Sequence, residues 1–233
     1  MEVIAHYHSP MKAKFGIPRQ SGIVEELQGE IVFQPKFRNP DFVRGLEGFD
    51  YIWLLWLFSA NKSSGCAATV RPPLLGGNQS MGVFATRSPF RPNPIGLSSV
   101  RLLHVDLEDL RRPVLHVGGA DLMDGTPIID IKPYVEYADS HAGVSSGFVD
   151  ERKWQPLRVV FPPSLAERLD RHDLEVVLRL LALDPRPHYH DNPQRIYGMA
   201  FGSHDIRFLV ADGILTVVDV CPVLSQCKDG GEH

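Results

Sequence analysis

YIWLLWLF, residues 51–58, is an unbroken run of aliphatic and aromatic residues. No polar residue interrupts it, so it lacks the alternation of a half-solvated strand. Its length and aromatic content suit a central strand covered on both faces, and a buried helix is the alternative. It is far too short to cross a bilayer as a helix, which takes about 20 residues.

On either side lie similar runs: VIAHYHS (3–9), GEIVFQP (29–35), MGVFATR (81–87), SSVRLLHVD (98–106), PVLHVGGADL (113–122) and IIDIKPYVEY (128–137). Gly, Pro, Asn or Asp punctuates them, and no long helical pattern separates them. Seven short strands predict a mainly β body, a barrel or a sandwich, over 1–140. The apolar period then lapses, giving a linker over 141–158. Residues 159–233 predict a small α+β domain. Ser164 and Glu167 have capping-box spacing for a first helix. Asp173 is the expected N-cap and Pro185 the stop of a second helix. RIYGMAFGSHDIRFLVADGILTVVDV (195–220) reads as three strands joined by SHD and ADG turns.

With 43% hydrophobic and 22% charged residues, the chain has the make-up of a folded domain, not of a disordered segment. A net charge of −4 means that any polyanion must meet a local basic patch. Cys66, Cys221 and Cys227 form no CxxC pair, which fits a reducing compartment. The start MEVIAHYHSPMKAK lacks the apolar core of a signal peptide. A cytoplasmic protein without a membrane anchor is the expectation.

The densest chemistry lies in RSPFRPNPIG, residues 87–96, where two arginines share ten positions with three prolines. Proline fixes φ and removes a donor, so this is a stiff loop that holds Arg87 and Arg91 without helix or sheet pairing. In DGTPIIDIKPY, 124–134, alternation puts Asp130, Lys132 and Tyr134 on one side of a strand. They could form a structural ion pair or an acid/base set at a pocket mouth. KFGIPRQSG (14–22), VRPPLLGGNQ (70–79) and DPRPHYHDNPQR (184–195) are further basic or polar loops. No GxGxxG, GxxxxGK[ST] or HExxH is present, which argues against a Rossmann site, a P-loop and a zincin. His6 and His8 share a strand face but have no third ligand at metal spacing, so no metal is expected. From the residues alone, the protein is a β body with a cluster of anion- or nucleotide-binding loops.

RSPFRPNPIG preceded by GVFAT, followed by DGTPIIDIKPY, resembles the TsaA/TrmO family of S-adenosylmethionine-dependent tRNA methyltransferases. KFGIPRQSG, RGLEGFDYIWLLWLF, VRPPLLGGN, DPRPHY and the terminal strand pattern extend the resemblance over nearly the whole chain. It implies a β-barrel methyltransferase that is not of the Rossmann kind, and a homodimer. It also implies N6-methylation of threonylcarbamoyladenosine immediately 3′ of the anticodon, chiefly in a threonine tRNA, with the C-terminal domain helping to bind the anticodon stem-loop.

Carried onto this sequence, the cofactor pocket draws on Pro18, Arg19, Gln20, Ser59, Ala60, Arg87, Leu97, Asp124, Gly125, Thr126 and Pro127. Asp124 would accept from the cofactor ammonium or ribose, and Arg19 or Arg87 would donate to its carboxylate. Ser59 and Ala60 depart from the bulkier polar residues of relatives, so backbone contacts are expected there. The N6 lone pair is delocalised, so a proton acceptor is needed. Asp130 is the first candidate and Tyr134 the second, while Lys132 could steady the threonyl carboxylate. Arg71, Arg91, Asn93, Arg186 and Arg195 would meet RNA, with Tyr189 and Tyr197 stacking on bases. Two rival readings stay open: the same barrel acting on another acceptor, or a nucleotide- or RNA-binding module without turnover.

Overall fold

In chain order the strands are β1 (Ala5–His8), β2 (Gln28–Phe33), β3 (Tyr51–Leu57), β4 (Thr69–Val70), β5 (Met81–Gly82), β6 (Ile95–Asp106), β7 (Val114–Gly118), β8 (Thr126–Pro133), β9 (Arg158–Val160), β10 (Tyr197–Phe201), β11 (His204–Ala211) and β12 (Ile214–Pro222). The helices are α1 (Glu136–Asp139), α2 (Pro163–Ala166) and α3 (Arg171–Ala182). This computed structural model describes residues 1–60, 65–150, 155–187 and 192–223.

Six strands close an antiparallel barrel in the order β1-β2-β7-β6-β3-β8. The protein is thus mainly β, and of the two expected β architectures the barrel is the one formed. YIWLLWLF is a strand between β6 and β8. Its burial alternates although its sequence does not: Ile52, Leu54 and Trp56 enter the barrel, while Trp53, Leu55 and Leu57 on the outer face are half-buried. The expected cover on both faces is therefore only partial. Tyr7, Ile31, Val100, Leu115, Val117 and Ile128 complete the fully buried interior.

Three expected strands differ. In MGVFATR only Met81–Gly82 pairs, with β4, and Val83–Ala85 turns as a 3-10 helix. The strand expected at 98 already begins at Ile95, directly after the proline loop. β8 stops at Pro133, where α1 follows. Within β8 the register skips Ile129, pairing Trp56 with Ile128 but Leu55 with Asp130. Such a bulge breaks the period-2 alternation, so Ile128 and Ile131 both pack toward the core.

In the C-terminal unit β10-β11-β12-β9 form one sheet, with β9 parallel to β12. β9 was not expected, being three residues long. The capping-box expectation fails: Pro162 occupies the N-cap of α2, which leaves Ser164 inside the first turn. The N-cap of α3 is Asp170, whose carboxylate accepts from Asp173 N at 2.8 Å, so Asp173 is the third helical residue and not the cap. The helix ends before Asp184, at φ +49°, and Pro185. The ADG turn places Asp212 and Gly213 both at positive φ, as a two-residue I′ hairpin requires.

α3 buries Val176, Val177, Leu180 and Leu181 on Met199, Phe201, Ile206 and Phe208 of the sheet. Met11, Val24 and Leu27, from the segment between β1 and β2, belong to this same core. Gly202 N donates to Pro10 O at 2.8 Å, and Arg179 pairs with Glu26 at 2.8 Å. The N-terminal segment therefore links the two units. Among the described residues, no helix is long and apolar enough to cross a membrane, and no three His, Cys, Asp or Glu gather as a metal site.

Candidate active site on the barrel wall

The half-buried outer face of β3 has a use. Trp53 and Leu57, with Ile95 and Leu97 of β6, form the apolar floor of a cavity of about 680 Å³. One wall is the segment 14–20 and the other is the proline loop 86–93. That loop is pinned at several points. Arg91 Nη1 donates to Thr86 O at 3.2 Å, and Ile95 N donates to Asn93 O at 2.7 Å. Phe58 N donates to Pro94 O at 3.0 Å, tying the loop to the end of β3. Arg87 donates to Gln20 Oε1, bridging the two walls.

Asp121 lies at one end of the cavity with Met123 and Thr126. Two local features put it there. Gly118 and Gly119 let the N-terminal segment approach the chain after β7: a Cβ on Gly118 would lie 2.8 Å from Glu25 O, and Gly22 N donates to Gly119 O at 2.8 Å. Across the barrel wall, Gly96 faces Trp56, whose ring would overlap any Cβ at that position. The ring therefore lies flat on β6. Its Nε1 donates to Ser98 Oγ at 3.0 Å, and Ser98 Oγ donates to Asp121 Oδ1 at 2.6 Å. Burial pushes the Asp121 carboxyl above the usual range. The Ser98 hydroxyl, the backbone amides of Asp121 and Ser21, and the Arg87 charge oppose that shift only in part.

Of the residues expected to form a cofactor pocket, Pro18, Arg19, Gln20, Ser59, Ala60, Arg87, Leu97 and Thr126 line this cavity. Asp124, Gly125 and Pro127 do not. The Asp124 carboxylate is engaged elsewhere, accepting from Lys12 Nζ at 2.9 Å and Ser9 N at 3.1 Å, with His8 Nδ1 3.3 Å away. Its partial burial acts upward on its pKa. The Lys12 and Ser9 hydrogen bonds and the charges of Lys12 and His8 outweigh this, leaving it below the ordinary carboxylate range. Gly125 N donates to Tyr7 O, and Pro127 pairs with His6.

The expected catalytic set lies outside the cavity lining. Asp130 and Lys132 form an ion pair at 2.8 Å, both well exposed, which is the structural arrangement weighed from sequence. Tyr134 packs on Trp53 with ring centroids 5.6 Å apart and does not line the cavity. Asp121, with Lys14, Trp53 and Trp56, was missed. The available signal was the glycine pair just before it, which marks a close backbone approach.

Arg91 and Asn93 line the same cavity. Arg71 and Arg186 line a second one, of about 620 Å³, between the N-terminal segment and the chain following α3. The two cavities share Lys14, Ile17 and Arg19. Arg186 is fixed by Asp184 through bonds of 2.8 and 3.0 Å. Tyr197 is not available to a base. Its ring is buried in the C-terminal core, 5.6 Å from Phe208 and 6.4 Å from Phe15, with the Arg195 guanidinium 5.4 Å from its centroid. Tyr189 lies outside the described residues.

The cavity's donor set fits S-adenosylmethionine: Arg19 and Arg87 suit a carboxylate, Gln20 and Asn93 offer neutral acceptors, and the tryptophans offer apolar faces. A closed antiparallel barrel with a cation-rich, aromatic-floored cavity on its wall is a β-barrel architecture, not a Rossmann one. Residues 6–140 match the model of the tRNA-methyltransferase O N-terminal domain, and residues 154–223 match that of the TrmO C-terminal domain. The chain belongs to the tRNA-methyltransferase O family and is an enzyme, a tRNA methyltransferase.

It is 39% identical over 219 residues to the tRNA (adenine(37)-N6)-methyltransferase of Escherichia coli, covering 91% of this chain and 93% of that protein. A Pyrococcus abyssi relative described as a "probable S-adenosyl-L-methionine-binding protein" is 33% identical over 180 residues, covering 72% of this chain and 92% of its own. The crystal structure of TrmO from Pseudomonas aeruginosa superposes with a TM-score of 0.74 at 32% identity, over 95% of this chain and 98% of that one.

Proposed function

We propose that this enzyme transfers a methyl group from S-adenosylmethionine to N6 of threonylcarbamoyladenosine at the position 3′ of the anticodon, chiefly in threonine tRNA. The observation that carries this reading is the charge of the cavity. Arg19, Arg87 and Arg91 line it against one carboxylate among the described residues, Asp121. A cofactor carboxylate and Asp121 leave cationic capacity over, which suits the second carboxylate that the threonyl group brings.

When bound, the cofactor supplies an electrophilic methyl on a sulfonium. Arg19 and Arg87 hold its carboxylate, Gln20 and Asn93 accept from its ammonium and ribose, and Trp53 and Leu57 cover its apolar part. The pinned loop loses little freedom on binding. It holds Arg87 and Arg91 in place, where they would position the acceptor against the methyl, and reacting atoms held about 3–3.5 Å apart let positioning do most of the catalysis.

The barrel unit (1–140) carries the chemistry. The C-terminal unit (159–233), reached through 141–158, meets the anticodon stem-loop with Arg186 and Arg195, and Arg71 of the barrel unit faces Arg186 across the second cavity. A homodimer in the cytoplasm completes the reading. Mass-spectrometric nucleoside analysis of tRNA from cells with and without the protein tests it. Loss of N6-methyl-threonylcarbamoyladenosine on deletion is expected, and an unchanged level of that nucleoside contradicts the reading.

A further inference from the structure

Trp56 Nε1–H can only donate, so Ser98 Oγ must accept from it. The single hydroxyl proton of Ser98 is then directed to Asp121 Oδ1. This fixes Oδ1 as an acceptor from Ser98 and so sets the orientation of the carboxylate. Asp121 is also the one carboxylate among the described residues lining the cavity.

The groups around it come from every adjoining element. Arg87 approaches from the proline loop, Ser98 from β6, the Ser21 amide from the N-terminal segment and the Tyr7 phenol from β1. Burial keeps that phenol neutral. Lys14 and Arg19 line the same cavity farther along.

We propose that Asp121 takes the N6 proton of the target adenosine during methyl transfer, with Ser98 and Trp56 as its positioning residues. This rests on the proposed methylation of an adenosine N6. As the N6–methyl bond forms, the sulfur–methyl bond breaks and the sulfonium becomes a neutral thioether. N6 gains positive character as its lone pair is shared, so its proton becomes acidic and passes to the Asp121 carboxylate. Water takes the proton after product leaves. A carboxyl whose affinity for protons is raised by burial suits this task better than the exposed, lysine-paired Asp130.

Asp121→Asn keeps the acceptor for Ser98 and removes the basicity. Single-turnover methyl transfer to tRNA should fall by about 10²–10⁴-fold. Calorimetric affinity for S-adenosylhomocysteine should stay within about threefold, since general-base loss does not touch ground-state binding. The wild-type rate should rise with pH through a break above the ordinary carboxylate range, and the variant should lack that break. Ser98→Ala removes a hydrogen bond that favours the ionised form, so it should move the break to higher pH, with Ser98→Thr restoring it. A near-normal rate in folded Asp121→Asn overturns the inference. So does a large loss of S-adenosylhomocysteine affinity, which would make Asp121 a ligand of the cofactor's ammonium. Wild-type enzyme that methylates no adenosine N6 in tRNA overturns the functional reading and this inference with it. An active wild type with an unimpaired variant overturns this inference alone.

Discussion

Tyr7, Ile31, Leu54 and Ile128 fill the barrel from its own strands, whereas the C-terminal sheet and α3 close their core with Met11, Val24 and Leu27 from far up the chain. The two units differ in what they owe each other. The barrel ring closes on itself through β1 and β8. The borrowed segment, however, also carries Pro18, Arg19 and Gln20 along the cavity. The C-terminal unit thus anchors one wall of the site on the barrel, in addition to any part in meeting RNA.

The largest effect should come from cutting the chain before β9. Met11, Val24 and Leu27 would each lose cover worth about 1.5–3 kcal/mol, and the segment 11–27 would detach from its anchor. The truncated protein should keep barrel-like far-UV circular dichroism. Its calorimetric affinity for S-adenosylhomocysteine should fall more than about 100-fold, because both walls must be fixed to bind it. Undiminished affinity would show that the barrel holds both walls by itself.

Point substitutions sharpen the same contrast. Leu27→Ala and Leu54→Ala each empty a fully buried site and should cost about 2–5 kcal/mol. Hydrogen exchange should separate them: Leu27→Ala speeds exchange chiefly in β10–β12, and Leu54→Ala chiefly in the barrel. Identical protection maps would mean that the two cores open as one.

Arg87→Ala removes a charge from the wall opposite the segment. Losing a charge-assisted hydrogen bond worth about 1.5–3 kcal/mol should weaken S-adenosylhomocysteine binding by about tenfold to a hundredfold in calorimetry. Unchanged affinity would take Arg87 off the cofactor.

The smallest effects are electrostatic, and Asp121 and Asp124 should show them with opposite signs. Asp124 has a lowered folded pKa, so its contribution is present above the unfolded value near 3.9 and disappears as pH falls through the folded one. Asp124→Asn should lower Tm at pH 7 by a few degrees at most, as a partly exposed pair is worth up to about 1 kcal/mol, and should converge with wild type in acid. Asp121 has a raised folded pKa, so it opposes folding as pH climbs above its unfolded value. Asp121→Asn should therefore melt above wild type at pH 7 and level with it in acid. Melting curves that shift the same way for both would contradict the assigned environments.

Much of this was legible in the sequence because it is local. Short apolar runs with glycine and proline punctuation predict the strands and the mainly β class, and the stiff loop at 87–94 supplies part of the cavity lining. What escaped depends on pairing between distant residues. The β3–β8 register sets Asp130 against Leu55 and Lys132 against Trp53, where the two charges pair with each other and do not line the cavity. Asp124 is expected to accept from the cofactor, yet Lys12 and Ser9, more than a hundred positions earlier, engage it. Tyr197 looked like a stacking platform until the fold laid Phe15 and Phe208 against it. The non-alternating run at 51–58 predicts cover on both faces, because an apolar outer face that floors a cavity leaves the same pattern as a core strand.

The central claim is that surplus cations in the barrel-wall cavity receive a carboxylate-bearing adenosine. Comparing kcat/KM on two anticodon stem-loops that differ only in carrying threonylcarbamoyladenosine or plain adenosine 3′ of the anticodon tests it most directly. The threonyl carboxylate should be worth about 1.5–3 kcal/mol in charge-assisted bonds, so the modified stem-loop should be preferred by about tenfold to a hundredfold or more. Arg91→Ala should narrow that preference. Equal rates on the two stem-loops, or a preference for plain adenosine, would contradict the account.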